Sequence, residues 1–304
     1  MRAESQTESK DENQTVSLTD GRKLGYSIIG EGKPVLYFHG TASSRLETLL
    51  FKQLAYTNQL QIIGIDRPGY GLSTFTPRTR IQDFADDVNQ LADHLSIEKF
   101  ALLGWSGGGP FLLTYNALFP ERVTRAVIAG SPNLPFNVAT AHNNPLARYA
   151  MKFSFIGMWA LKKFAAFVQE ANKDIDCFLS SKAGRNFLSG WPPEDRKYFA
   201  DPAWLTLMMG AMAEGFRQGN AGVKAVFQEH QLFIRNWDTL LSLVSAKNLH
   251  IWQGTEDKTC RTENAYKISK IIPSAHLEIF EGKGHCAIFD NLKKLGQILR
   301  SSQP

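Results

Sequence analysis

The feature that most restricts the fold of this chain is an alternation of short apolar runs with helix-length amphipathic segments. Residues 23–29 (KLGYSII) and 35–38 (VLYF) are apolar or alternating runs closed by glycine, the mark of strands. Ser43 to Asn58 then reads as a helix, with Leu46, Leu49, Leu50 and Leu54 near one face. Gln61 to Ile65 is again a strand and ends at the turn-rich run Asp66-Arg67-Pro68-Gly69-Tyr70-Gly71. The clearest helix follows, where Ile81, Phe84, Val88, Leu91 and Leu95 form one stripe and Thr79 with Gln82 stands as a capping box. Phe100 to Leu103 is a buried strand, a helix starting near Gly107 carries Phe111, Leu112 and Tyr115, and Val123 to Ala129 is another strand. This rhythm requires parallel strands with right-handed crossovers, in a sheet covered on both faces.

From Pro132 to Asn236 the rhythm changes. Strand-like runs vanish and several helices are expected, bearing Trp159, Phe164, Phe167, Trp204 and Phe216 together with Met151, Met158, Met208, Met209 and Met212. Afterwards the alternation resumes, with strands at Leu249–Gln253 and His276–Phe280 and a closing helix from about Asn291 to Arg300. The simplest organisation is a polar N-terminal tail over 1–14, a core formed by 15–131 and 237–304, and a helical insertion over 132–236.

Other classes are disfavoured by composition. The net charge is +5, but Lys and Arg are spread along the chain without a basic block, so no nucleic-acid partner is expected. Cys177, Cys260 and Cys286 are an odd, unpaired set, which fits a reducing compartment. The segment Tyr149 to Val168 is apolar but interrupted by Lys152, Lys162 and Lys163, which argues against a membrane-spanning helix and leaves a buried or surface-lying one. The N-terminal residues have no apolar stretch of signal-peptide length. A cytoplasmic protein acting on a small molecule, without stable membrane insertion, is the expectation.

Chemistry first shows at Gly104-Trp105-Ser106-Gly107-Gly108, between an apolar strand and a helix. That context gives a G-x-S-x-G string meaning, because the serine stands on a strained turn beside a helix N-terminus. A serine hydroxyl needs an adjacent base. Of the seven histidines, His285 directly follows the last predicted strand in the glycine-containing loop Glu281-Gly282-Lys283-Gly284. His250 and His276 sit at strand starts, the wrong end of a parallel sheet for a site. His39 ends its own strand and reads as a hydrogen-bonded loop organiser. A carboxylate must orient the base, and Gly254-Thr255-Glu256-Asp257 offers two candidates after the strand His250 to Gln253. Backbone N–H donors for an oxyanion are expected from Gly107, next to the serine, and from Thr41 in the loop Phe38-His39-Gly40-Thr41.

On Phe38-His39-Gly40, Asp66 to Gly71, Gly104 to Gly108, Gly254 to Asp257 and Gly284-His285, the chain resembles the α/β-hydrolase superfamily. The likeness is to its capped members related to esterases, peroxidase-like perhydrolases and C–C bond hydrolases. This resemblance implies an eight-stranded, mostly parallel sheet flanked by helices, with a helical cap inserted after the sixth strand. It also implies the chain order Ser106, Asp257, His285, placing the acid three residues after Gly254 and so favouring Asp257 over Glu256. The chain departs from the pattern in places. The oxyanion loop lacks the extra glycine of many lipases, and serine at 106 disfavours the epoxide and haloalkane hydrolases, whose nucleophile is aspartate. Lys258-Thr259-Cys260 stands where relatives often carry a proline.

The expected reaction is acyl transfer on an ester, lactone, thioester or related bond, with no metal and no organic cofactor. Two alternatives remain open at this level: a cofactor-free acyltransferase or C–C bond hydrolase or lyase, and a non-catalytic ligand-binding relative. Substrate contacts are expected from Trp105, Met158, Trp204 and Met208, in an apolar and adaptable pocket. Cys260 and Cys286 read as two small buried side chains, the alternative being a redox-sensitive pair between the acid and base loops.

Overall fold

The computed structural model describes residues 12–132, 154–235, 238–245 and 248–301. The sheet has eight strands: β1 (Gln14–Ser17), β2 (Lys23–Ile29), β3 (Lys33–Phe38), β4 (Leu60–Ile65), β5 (Phe100–Trp105), β6 (Val123–Ala129), β7 (Leu249–Gly254) and β8 (His276–Phe280). Their order is β1-β2-β4-β3-β5-β6-β7-β8. β2 runs antiparallel to β1 and β4, and all other neighbours are parallel. An α/β-hydrolase sheet flanked by helices is therefore what the chain forms, as the resemblance implied.

The strands are apolar on both faces because both faces are covered. Leu36, Phe38, Ile63, Ile65, Leu102 and Ile128 pack to one side with Phe84, Val88 and Leu91 of the helix Asp83–His94. Their neighbours Val35, Tyr37, Ile62, Ala101, Leu103 and Val127 pack to the other. This is the period-two alternation of a strand, with apolar residues at both phases.

Two helix expectations need correction. The segment Ser43 to Asn58 is a 3-10 helix over Arg45–Phe51 followed by an α-helix over Lys52–Asn58. Arg45, Glu47 and Thr48 are buried along with Phe51 and the expected Leu54, whereas Leu46, Leu49 and Leu50 are half-buried. The polar face turns inward because it has partners there. Arg45 pairs with Asp66 at 2.9 Å and Glu214 at 2.8 Å, Glu47 receives the Tyr37 hydroxyl at 2.6 Å, and Thr48 donates to the Arg45 carbonyl. The Thr79–Gln82 capping box does not form either. The helix starts at Asp83 with Gln82 as a cap that makes no side-chain bond, and the Thr79 carbonyl accepts instead from Arg235.

Between β6 and β7 lie extra helices, among them Ser154–Ala171, Pro193–Phe199, Pro202–Gly215 and Asn220–Phe233. Residues 133–153 of the expected insertion, and residues 1–11 of the tail, fall outside the described residues. Among the described residues no helix is long and apolar enough to cross a membrane.

Asp66 is completely buried and accepts hydrogen bonds from the Arg45 N–H, the Arg45 guanidinium and the Leu72 N–H. Removing one partner of a buried pair leaves the other charge desolvated. Asp66→Ala is expected to cost about 3–5 kcal/mol, read as a lower urea midpoint with an unchanged slope. A loss under about 1 kcal/mol would mean that this pair does not anchor β4 to the 3-10 helix.

Candidate active site

Ser106 directly follows β5 with φ at 52°, a left-handed backbone conformation that non-glycine residues rarely adopt. The strand has no room to continue. The chain turns at once into the 3-10 turn Ser106–Gly108 and the helix Gly109–Leu118, so the serine side chain is held at the strand's carboxyl end. Gly107 is required by close approach, since a Cβ there would lie 2.0 Å from Thr41 Oγ1 and 2.9 Å from Thr41 N. Thr41 and Gly107, both expected as backbone donors, are thus pressed against one another beside Ser106.

His285 and Asp257 arrive from the loops after β8 and β7. The Nδ1 of His285 lies 2.8 Å from Asp257 Oδ2. Asp257 Oδ1 accepts from the N–H groups of Thr259 and Cys260, each at 2.8 Å, and Oδ2 also receives the Gln253 side-chain amide at 3.0 Å. Every lone-pair direction of this carboxylate is therefore specified. Glu256 does not reach the histidine; its backbone N–H is spent on the Lys283 carbonyl. Gly130, with φ at 52°, ends β6 beneath this pair, and a Cβ there would sit 2.9 Å from His285 Nδ1. Trp105 donates its indole N–H to the His285 carbonyl at 3.0 Å, with ring centroids 5.3 Å apart.

Burial disfavours charge on His285, but Asp257 outweighs it through its own charge and hydrogen bond, holding the imidazole above its ordinary pKa. His39 is the opposite case. It is wholly buried, and burial together with the Arg67 charge depresses it well below the ordinary range. Its Nδ1 donates to the Gly40 carbonyl at 2.8 Å, a loop-organising role. Cys260 and Cys286 are buried free thiols, pushed well above the usual range by burial and then by nearby carboxylates. They are protonated and poorly reactive in this state.

Ser106 and His285 line one cavity of about 280 Å³. Trp105, Met208, Thr41 and Gly107 also line it. Trp204 and Met158, also expected as contacts, are not among its described lining residues. Trp204 is taken up by an aromatic cluster with Tyr198, Phe199 and Phe289. Met158 packs beside Leu161 and Phe216 instead. The wall also includes Met209, Met212, Trp191, Phe199 and His230, of which Trp191, Phe199 and His230 were not named from sequence.

Two buried carboxylates of the extra helices were also missed. Glu229 accepts from Arg67 Nε at 2.6 Å, the Tyr70 hydroxyl at 2.9 Å and the Thr41 hydroxyl at 2.6 Å. Arg67 in turn donates to the carbonyls of His39 at 2.6 Å and Gly40 at 3.0 Å. Asp195 accepts from the backbone N–H of His285 at 2.8 Å and of Cys286 at 2.7 Å. In the sequence both acids read as ordinary solvated helix residues; only their burial distinguishes them.

The raised pKa of His285 has a measurable consequence. An NMR titration of His285 is expected to give a midpoint above the ordinary value of about 6.5, moving down in Asp257→Asn. Because the folded value is raised, the contact favours the folded state most below the unfolded pKa and ceases to do so as pH rises through the raised one. A native midpoint below the ordinary value would contradict the pairing.

A family model described as the alpha/beta hydrolase fold matches residues 33–292. An uncharacterized hydrolase of Bacillus subtilis (strain 168), YcgS, is 32% identical over 108 residues, covering 34% of this chain and 36% of that protein. The chain spans about a third to a half of the length of the first curated relatives it matches. Among solved structures, an alpha/beta hydrolase fold protein from Nakamurella multipartita superposes with a TM-score of 0.66 at 21% identity, covering 95% of this chain and 99% of that one. An esterase from Exiguobacterium antarcticum gives 0.61 at 20% identity, covering 94% and 97%.

Proposed function

The chain belongs to the alpha/beta hydrolase fold family, and on that premise we propose that it is a serine hydrolase cleaving an ester, lactone, thioester or related acyl bond of a small apolar substrate. The observation that carries this reading is the left-handed Ser106 at the end of β5, facing the same cavity as a histidine whose far nitrogen is held by a buried aspartate. The proposed roles follow from chemistry. With Nδ1 carrying the proton shared with Asp257, the neutral ring keeps its lone pair on Nε2 and can take the Ser106 proton. The serine oxygen attacks the carbonyl, the electron pair moves onto the carbonyl oxygen, and the N–H groups of Thr41 and Gly107 receive that oxyanion. Collapse expels the leaving group with a proton from His285. Water, activated by the same histidine, then releases the acid from Ser106.

In this reading the helices between β6 and β7 act as a cap over residues 132–236, and their methionines and aromatic residues select apolar substrates. The esterase among the structural neighbours agrees with the reading, although a likeness at that identity speaks only for the fold. Glu47 lines the cavity from behind Gly40 and is itself completely buried, accepting from Tyr37 and the Gly40 N–H. Burial raises its pKa, against the hydrogen bonds from Tyr37 and Gly40 that lower it.

Ser106→Ala is expected to abolish turnover of p-nitrophenyl esters while leaving the thermal transition in place. Residual activity above about one per cent of wild type would remove Ser106 as nucleophile, since such knockouts lose several orders of magnitude. Asp257→Asn is expected to be far more damaging than Glu256→Gln in the same assay, because an amide no longer stabilises the imidazolium. The reverse order would shift the acid by one residue.

A further inference from the structure

The helix Asn220–Phe233 turns two consecutive polar residues to different places. Glu229 points into the core, and its three hydrogen-bonding partners fix the rotation of the helix about its axis. His230 lines the cavity that Ser106 and His285 share. Its Nδ1 lies 2.8 Å from the carbonyl oxygen of Val226, one turn back on the same helix. A carbonyl only accepts, so Nδ1 is the protonated nitrogen. In the neutral ring Nε2 is then a lone-pair acceptor, and it has no hydrogen-bond partner among the described residues.

The surroundings of this acceptor are apolar. Phe164, Met208, Met212 and Phe233 line the same cavity. Among the described residues no lysine or arginine lines it, so a substrate carboxylate would find no fixed counter-charge among them. A neutral hydrogen-bond donor suits the site better, since an apolar wall raises the worth of one well-placed polar contact and the penalty of leaving it unmade. Among the described residues of the wall, Thr41, Ser106 and His285 belong to the proposed catalytic site, Glu47 is tied to Tyr37 and Gly40 through Oε2, Trp191 offers only an indole N–H donor, and the remaining hydroxyl is that of Thr259. That residue sits on the loop bearing Asp257, and its hydroxyl serves as donor or acceptor alike. Among the described residues outside the proposed catalytic groups, His230 Nε2 is the neutral lone-pair acceptor of this wall.

We propose that His230 is a substrate-recognition residue, and that the substrate is an apolar molecule carrying a hydroxyl group, distinct from its reacting carbonyl, that donates to His230 Nε2. The proposal rests on the acyl-transfer reading of Ser106 and specifies the substrate class for it. The hydrogen bonds of Glu229 hold the acceptor in position before the substrate enters, so little ordering accompanies its use.

The test uses ligands that are not cleaved. Aliphatic methyl ketones of graded length, ending in hydroxyl, methyl or carboxylate, are bound to the full-length Ser106→Ala chain and followed by calorimetry. At one chain length the hydroxyl-to-methyl affinity ratio should exceed that of the Ser106→Ala/His230→Phe double variant by about tenfold. His230→Gln, whose amide still accepts, should retain part of that ratio and also serves if the phenylalanine variant fails to fold. Overturning results are a ratio that His230→Phe leaves unchanged at every length, a carboxylate preference that the substitution removes, or no binding by any hydroxylated ketone. Failure of the acyl-transfer reading would appear elsewhere, as absent turnover of unsubstituted esters by the native chain.

Discussion

Arg67 is almost fully buried, and its guanidinium is divided between Glu229 on one side and the carbonyls of His39 and Gly40 on the other. A charge taken out of water needs nearly every donor satisfied, and here the donors are used to tie three pieces of chain together. These are the turn after β4, the loop after β3, and a helix that enters only after β6. The faces of Tyr70 and Phe111 lie 5.0 and 4.7 Å from the guanidinium carbon and close the remaining sides. Because Glu229 also holds the Thr41 hydroxyl, the loop proposed to bind the oxyanion takes its shape from the extra helices as well as from the sheet.

Asp195 does the corresponding work at the other loop. Its carboxylate caps the N–H groups of His285 and Cys286, and its own pKa is raised by burial despite those bonds. The histidine is thus fixed by Asp257 through its ring and by Asp195 through its backbone. Cavity lining and loop positioning are therefore not separable among these helices. The same segment that lines the cavity with Met208 and Trp191 also sets Thr41 and His285.

How much of this was legible in the sequence follows from the physics of each signal. Strands buried on both faces give apolar runs, which made β3 to β7 readable, while β2 and the exposed to half-buried β8 were read from short alternating runs beside turn residues. Ser106, Asp257 and His285 each stand directly after a strand among small or turn-forming residues, and that local context is visible without coordinates. β1 was not read, because its four residues QTVS carry one buried side chain. The Arg45–Glu47 turn was misjudged since charged residues were taken to face solvent, while their partners Asp66, Glu214 and Tyr37 lie far apart in the chain. Asp195 and Glu229 were invisible for the same reason, as long-range pairing leaves no periodic trace, and the sequence around His230 carries no mark of the cavity that it lines. Trp204 and Met158 were plausible cavity residues by type, but packing between helices claims the same types.

The central claim is that Ser106 is an activated nucleophile, and covalent capture tests it most directly. A fluorophosphonate probe incubated with the folded native chain, followed by intact-mass measurement and peptide mapping, reports where the phosphoryl group lands. The account predicts one adduct per chain, located on Ser106, formed far more slowly when His285 is replaced by alanine and not formed after denaturation. An unlabelled native chain, or an adduct on another residue with Ser106 untouched, would contradict it.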